Sequence, residues 1–106
     1  MVSSALGSGW YLDSGASFHM TRDKKLFSDL EEKDLQMHIE IGDNERYSSN
    51  GRGNITFHRH SGKPFQLKYV IYVPGLMKNL VSVAILEDRS YDVGFSEGKY
   101  FLRHKQ

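Results

Sequence analysis

The sequence predicts a single, mostly β domain, and three observations carry that expectation. Short runs of alternating or continuous apolar residues recur along the chain. Clusters of Gly, Asn, Asp, Ser and Pro separate them. No apolar stripe at helical spacing extends far enough to make a long helix, and no internal repeat is evident. A chain of 106 residues fits one domain with one modest core. With 25% charged residues and a formal net charge of +1, nothing calls for nucleic acid or an acidic membrane as partner. The absence of cysteine excludes a disulfide framework, a thiolate metal site and a thiol nucleophile, and it suits a reducing compartment. No apolar run approaches the length of a membrane-spanning helix, and no residue pattern implies a metal or a cofactor.

Taken in order, Met1–Gly9 is built mostly of small residues without a basic start, and reads as a flexible lead-in or cloning remnant ahead of a domain over 10–106. Trp10-Tyr11-Leu12 reads as a short buried strand, and Ser14-Gly15-Ala16-Ser17 as the tight turn leaving it. Asp13 therefore stands where a core strand hands over to a loop. There it is either a turn-former accepting backbone N–H groups or a reactive carboxylate. Phe27–Asp34 reads as one or two helical turns or a loop with a solvated acidic face. From Leu35, Met37, Ile39 and Ile41 alternate with His38 and Glu40, a strand with one wet face. Gly42-Asp43-Asn44-Glu45 is a turn cluster, and Arg46-Tyr47 begin the return of a hairpin.

The glycines of Ser48–Gly53 precede a strand over Asn54–Arg59; they fit a bend or bulge better than a phosphate cradle, since no Lys-Ser/Thr and no helix follow. After a turn at Ser61–Pro64, Phe65–Val73 starts alternating and ends as a continuous apolar run, a strand whose far half is buried on both faces. Pro74-Gly75 stops it. Leu76–Leu86 predicts a short buried helix with Asn79 or Ser82 near its start. Tyr91–Phe95 and Lys99–Arg103 read as two closing strands. His38, His58, His60 and His104 lie on polar faces, whereas His19 reads as a hydrogen-bonding structural histidine rather than a metal ligand.

Asp13-Ser14-Gly15-Ala16 after an apolar strand resembles the active-site loop of the aspartic proteases. The longer string Trp10–Thr21, with Asp-Ser-Gly-Ala-Ser followed by His19-Met20-Thr21 and then Phe27, is similar to the protease segment of Copia-type retrotransposon polyproteins. A second, separated segment agrees with it: Tyr72-Val73-Pro74, Leu76 and Asn79-Leu80-Val81-Ser82. The resemblance spans about residues 10 to 103. It implies a retropepsin-like closed β-barrel or sheet lobe with a flap hairpin and one short C-terminal helix, the flap lying between Gly42 and Gly53 with Gly42, Asp43 and Asn44 at its tip.

Hydrolysis of this type needs two carboxylates around one water, one ionised to draw the proton and one protonated to donate to the scissile carbonyl. The sequence holds one Asp-Ser-Gly, so the resemblance implies a homodimer that brings Asp13 of each chain to the diad. Asp13 is then the catalytic acid/base; Ser14 supports the dyad from below, and Gly15 and Ala16 border the substrate backbone. The expected substrate is an extended polypeptide, the polyprotein of the element itself, in the cytoplasm within virus-like particles or in the nucleus. Two other classes stay open. One is a catalytically inactive lobe kept as a dimerisation or protein-binding module. The other is a small barrel binding single-stranded nucleic acid, against which near-neutral charge speaks.

Overall fold

The structure is a computed structural model that describes residues 2–3, 9–41, 45–58, 64–89, 91–96 and 99–104; for residues 2–3, 41, 91–96 and 99–104 the backbone alone is described. In chain order the strands are β1 (Val2–Ser3), β2 (Trp10–Asp13), β3 (Met20–Thr21), β4 (Phe27–Glu32), β5 (His38–Ile41), β6 (Glu45–Ser48), β7 (Gly51–His58), β8 (Pro64–Tyr72), β9 (Asn79–Ser82), β10 (Tyr91–Ser96) and β11 (Lys99–His104). A short 3-10 turn at Lys24–Leu26 precedes β4, and one helix, α1 (Val83–Asp88), follows β9. The domain is mostly β with one short helix, the class read from its residues.

Six strands form the main sheet in the order β2-β9-β3-β8-β7-β4. β2 runs parallel to β9 with Asp13 opposite Ser82, and β3 lies between β9 and β8, Met20 facing Leu80 on one side and Ile71 on the other. The hairpin of β5 and β6 forms its own two-stranded sheet, and β1, β11 and β10 form a third. The stretch read as a lead-in thus contributes a strand that pairs with β11.

Two apolar clusters lie in the domain. One joins Trp10, Ile55, Phe65, Leu67, Val70, Val81 and Leu86. The other joins Ala16, Met20, Ile39, Ile71, Val73, Leu76 and Leu80, with Leu35, Met37 and Tyr47 packed on it. Neighbours in sequence divide between them: Leu80 and Val81 part company, as do Val70 and Ile71. That is the alternation of a strand buried on both faces. It explains why the end of β8 reads as a continuous apolar run.

Two expectations require correction. Phe27–Glu32 is neither helical nor a loop but an edge strand, paired antiparallel with β7. Its acidic composition gives no strand signal; the pairing comes from β7, where Gly51 and Gly53 let two backbones approach. A Cβ on Gly53 would overlap the Asp29 carbonyl oxygen, and one on Gly51 would stand 2.7 Å from that of Glu31. Asn79 does not open the helix either. Asn79–Ser82 is β9, and α1 starts only at Val83, with Ser82 as its N-cap accepting from the Ile85 N–H at 3.1 Å. Four apolar-rich residues running straight into a helix have no periodicity that separates them from it.

The irregularity near the glycine-rich segment lies not in the glycines' own strand, β7, but in the strands that pair with it. The β7–β8 register shifts between Gly53 and Ile55, where β8 carries one residue more than β7. Tyr69, at φ 60°, is the residue thrust outward, 55% exposed, so that Val70 rejoins the buried face of Phe65 and Leu67. Asn54 ties the region together. Its N–H and side-chain amide donate to the Asp29 carboxylate at 2.9 and 3.2 Å, and its Oδ1 accepts from the Tyr69 N–H at 3.2 Å.

Candidate active site

Asp13 ends β2, and the chain turns immediately beyond it. The Ala16 N–H donates to the Asp13 carbonyl at 3.3 Å, closing the turn, and the Gly15 N–H donates to Asp13 Oδ1 at 2.8 Å. Asp13 is therefore a turn-former, and its carboxylate is at the same time half-exposed with Oδ2 free of any hydrogen bond among the described residues. The two readings left open by the sequence are compatible in one geometry. Trp10, three residues earlier on β2, is buried edge-on against Phe57 with ring centroids 5.6 Å apart, and this anchors the strand.

A cleft of about 320 Å³ opens over this turn. Asp13, Gly15, Ala16 and Ser17 form one lip, with Phe18 beside them. Met20 and Leu80 form the apolar floor. The opposite wall is the consecutive stretch Met37, His38, Ile39 and Glu40. Residues that alternate in direction line one cleft together only where a strand turns its edge toward it. Among the described residues β5 is hydrogen-bonded on one side alone, to β6. An unpaired strand edge facing a carboxylate can receive an extended chain by backbone hydrogen bonds.

The residues around the turn hold it from three directions. Ser82, paired with Asp13 across the parallel strands, donates from Oγ to the Ala16 carbonyl at 2.8 Å. The Ser82 N–H in turn donates to His19 Nδ1 at 2.9 Å. Thr21, fully buried, donates to Asn79 Oδ1 at 2.7 Å and accepts from the Asp23 N–H at 3.1 Å. The backbone of the same segment is locked to β8, with Ile71 N–H on the His19 carbonyl at 2.9 Å and Val73 N–H on the Thr21 carbonyl at 2.8 Å.

His19 is only 2% exposed. Burial first, and the nearby Arg89 charge second, hold its imidazole down at about 4 against an ordinary 6.5. It is thus neutral near pH 7, with Nδ1 an acceptor and the proton on Nε2.

Of the residues singled out from sequence, Asp13, Gly15 and Ala16 meet at the cleft, while Ser14 is exposed and does not line it. Gly42, Asp43 and Asn44 lie outside the described residues, but the strands leading to and from them are the β5–β6 hairpin, registered from His38 with Ser48 to Ile41 with Glu45. Sequence reasoning did not find Met20, Leu80 and Ser82 as part of the site. Each looks like core or cap by itself, and only the β2–β9–β3 adjacency gives them this place.

Fold and site together define a β domain whose Asp13 carboxylate, on a small-residue turn, faces a cleft walled by a hairpin that brings a second acid, Glu40. Residues 10–91 match the family described as Pol polyprotein, beta-barrel domain, and the chain belongs to that family. It is a domain derived from the Pol polyproteins of retroelements. No curated protein and no solved structure matches it.

Proposed function

We propose that this Pol domain is an aspartic endopeptidase lobe of Copia type, active as a homodimer that contributes one Asp13 per chain and cleaves its own polyprotein. The observation that carries the reading is Asp13 itself. Its carboxylate has one oxygen held by the Gly15 N–H and the other unengaged, at the lip of a cleft whose far wall is an unpaired strand edge. An extended peptide laid along β5 would present its carbonyls toward the Asp13 turn, and its side chains would alternate between the Met20–Leu80 floor and the His38–Glu40 rim.

The chemistry then follows from two such turns meeting. Like-charged carboxylates in contact cannot both ionise cheaply, so the pair holds one proton. The ionised member takes a proton from the water between them; the protonated member donates to the carbonyl oxygen as the water adds. The proton that leaves the water returns through the same pair to the departing amine. Ser14 is exposed beside the turn and does not line the cleft, which is compatible with a hydrogen bond toward a partner turn rather than toward substrate. Closure of the β5–β6 hairpin over the peptide would exclude bulk water.

Cleavage of a peptide library at mildly acidic pH tests this, with Asp13→Asn as the control. The variant retains an acceptor for the Gly15 N–H, so it is expected to fold as the parent does while losing turnover by about 10³-fold or more. Cleavage unchanged in Asp13→Asn would refute the assignment. No cleavage by the parent at any concentration, with a dimer present, would favour the protein-binding module instead.

A further inference from the structure

His-Met-Thr follows the Asp turn at residues 19–21, and the proposed chemistry does not use it. Its middle residue is floor and its last is a buried tie to Asn79. His19 remains unexplained by packing alone, since a buried imidazole is costlier than a leucine of similar size unless its polar atoms are used.

The hydrogen bonds show how they are used. Asp13 and Ser82 are opposite each other in the β2–β9 pair. Among the described residues the side-chain bond that reaches the turn from outside it comes from Ser82, whose Oγ donates to the Ala16 carbonyl, and the Ser82 N–H is in turn held by His19 Nδ1. The same Oγ accepts from Ile85 and so starts α1. Ala16, the residue after Gly15 in the turn, is thus clamped between its own N–H on the Asp13 carbonyl and its carbonyl on Ser82. A shift of Ser82 moves Ala16, and through the turn moves the Gly15 N–H that holds Asp13 Oδ1.

We propose that His19 is a positioning residue: its Nδ1 lone pair, acting through Ser82, sets the orientation of the Asp13 turn. The inference rests on the protease reading for its consequence in turnover, but the coupling of His19 to the turn is a property of the fold. The groups facing the imidazole favour the bare Nδ1. Lys68 and Gln66 on β8 and Arg89 just beyond α1 line a cavity of about 220 Å³ beside it, and no described residue lining that cavity is a carboxylate. A proton placed on Nδ1 would turn the acceptor into a donor pointing at the Ser82 N–H and break the clamp.

The test is a titration of the full chain, labelled with 15N, from neutral pH to about pH 4. The ring nitrogens are expected to report a proton on Nε2 and none on Nδ1 at neutral pH. The amide resonances of Ser82, Gly15 and Ala16 are expected to follow the His19 titration, while that of Thr56 on β7, which pairs with Gln66, stays still. Gly15 and Ala16 amides that ignore the ionisation of His19 would overturn the proposal.

Two variants carry it into turnover. His19→Leu, which has no acceptor, is expected to lower kcat by about tenfold or more with KM changed by less than about threefold. His19→Asn, whose carbonyl reaches the position of Nδ1, is expected to recover most of that loss. A folded His19→Leu with parental kcat, or an Asn variant as slow as the Leu one, would sink it. Should His19→Leu not fold, the titration and the Asn variant decide. A parent chain that shows the coupled titration yet cleaves nothing would remove the protease reading alone.

Discussion

At the scale of single residues, His19 ties acid stability to the site. Its imidazole is held at about 4 in the fold and returns to about 6.5 when the chain unfolds. Below pH 6.5 the unfolded chain takes up a proton that the native chain refuses, so stability is fully present above 6.5 and is lost as pH falls toward 4. The loss from this one group comes to roughly 3 kcal/mol. Urea unfolding measured across that window should show the fall, and His19→Asn should flatten it. An equal slope in parent and variant would mean other groups set the acid limit. For the proposed protease this would set a floor on the working pH, since chemistry that favours mild acid would operate in a fold that weakens there.

At the scale of elements, strand and helix starts depend on single contacts. Ser82 ends β9, caps α1 and clamps the Asp13 turn with one hydroxyl. Ser82→Ala is expected to cost about 1–3 kcal/mol, a lost cap plus an Ala16 carbonyl left without its partner. Thermal unfolding reads the cost, and loss of turnover beyond it would mark the clamp rather than the cap. Gly53→Ala should do comparable damage of a different kind. The added carbon overlaps the Asp29 carbonyl, so β4 must move away from β7, at about 1–3 kcal/mol. Faster amide exchange confined to β4 and β7 would show it, and a neutral substitution would mean that the strands are not that close. The surface ion pairs Lys24–Glu32 and Arg46–Glu40, exposed on both sides, carry little of this stability.

For the whole molecule the proposal is that one chain holds half of a site. Asp13 sits on β2, an end strand of the main sheet among the described residues, with Tyr11 51% exposed on the same strand and Lys78 stacked over its ring at 5.0 Å. Specific activity should therefore rise with enzyme concentration until dimers predominate, as sedimentation would follow in parallel. Excess Asp13→Asn chain should suppress the parent by forming mixed pairs. Activity independent of concentration and untouched by the variant would mean a working monomer and would overturn the pairing.

The β class, the hairpin from Met37 to Tyr47 and the turn at Asp13 were legible from residues alone, because alternation, small-residue turns and an acid after an apolar strand are local signals. The Phe27–Glu32 strand was not, since its only instruction to extend is a neighbour with no side chain to keep it away. Nor was the break between β9 and α1, where a strand buried on both faces and a buried helix present the same apolar letters. The site divides in the same way. Asp13, Gly15 and Ala16 are contiguous and carry their geometry with them. His19, Ser82, Leu80 and the β5 edge come together only because β9 enters between β2 and β3, a pairing across some sixty residues that no local pattern encodes.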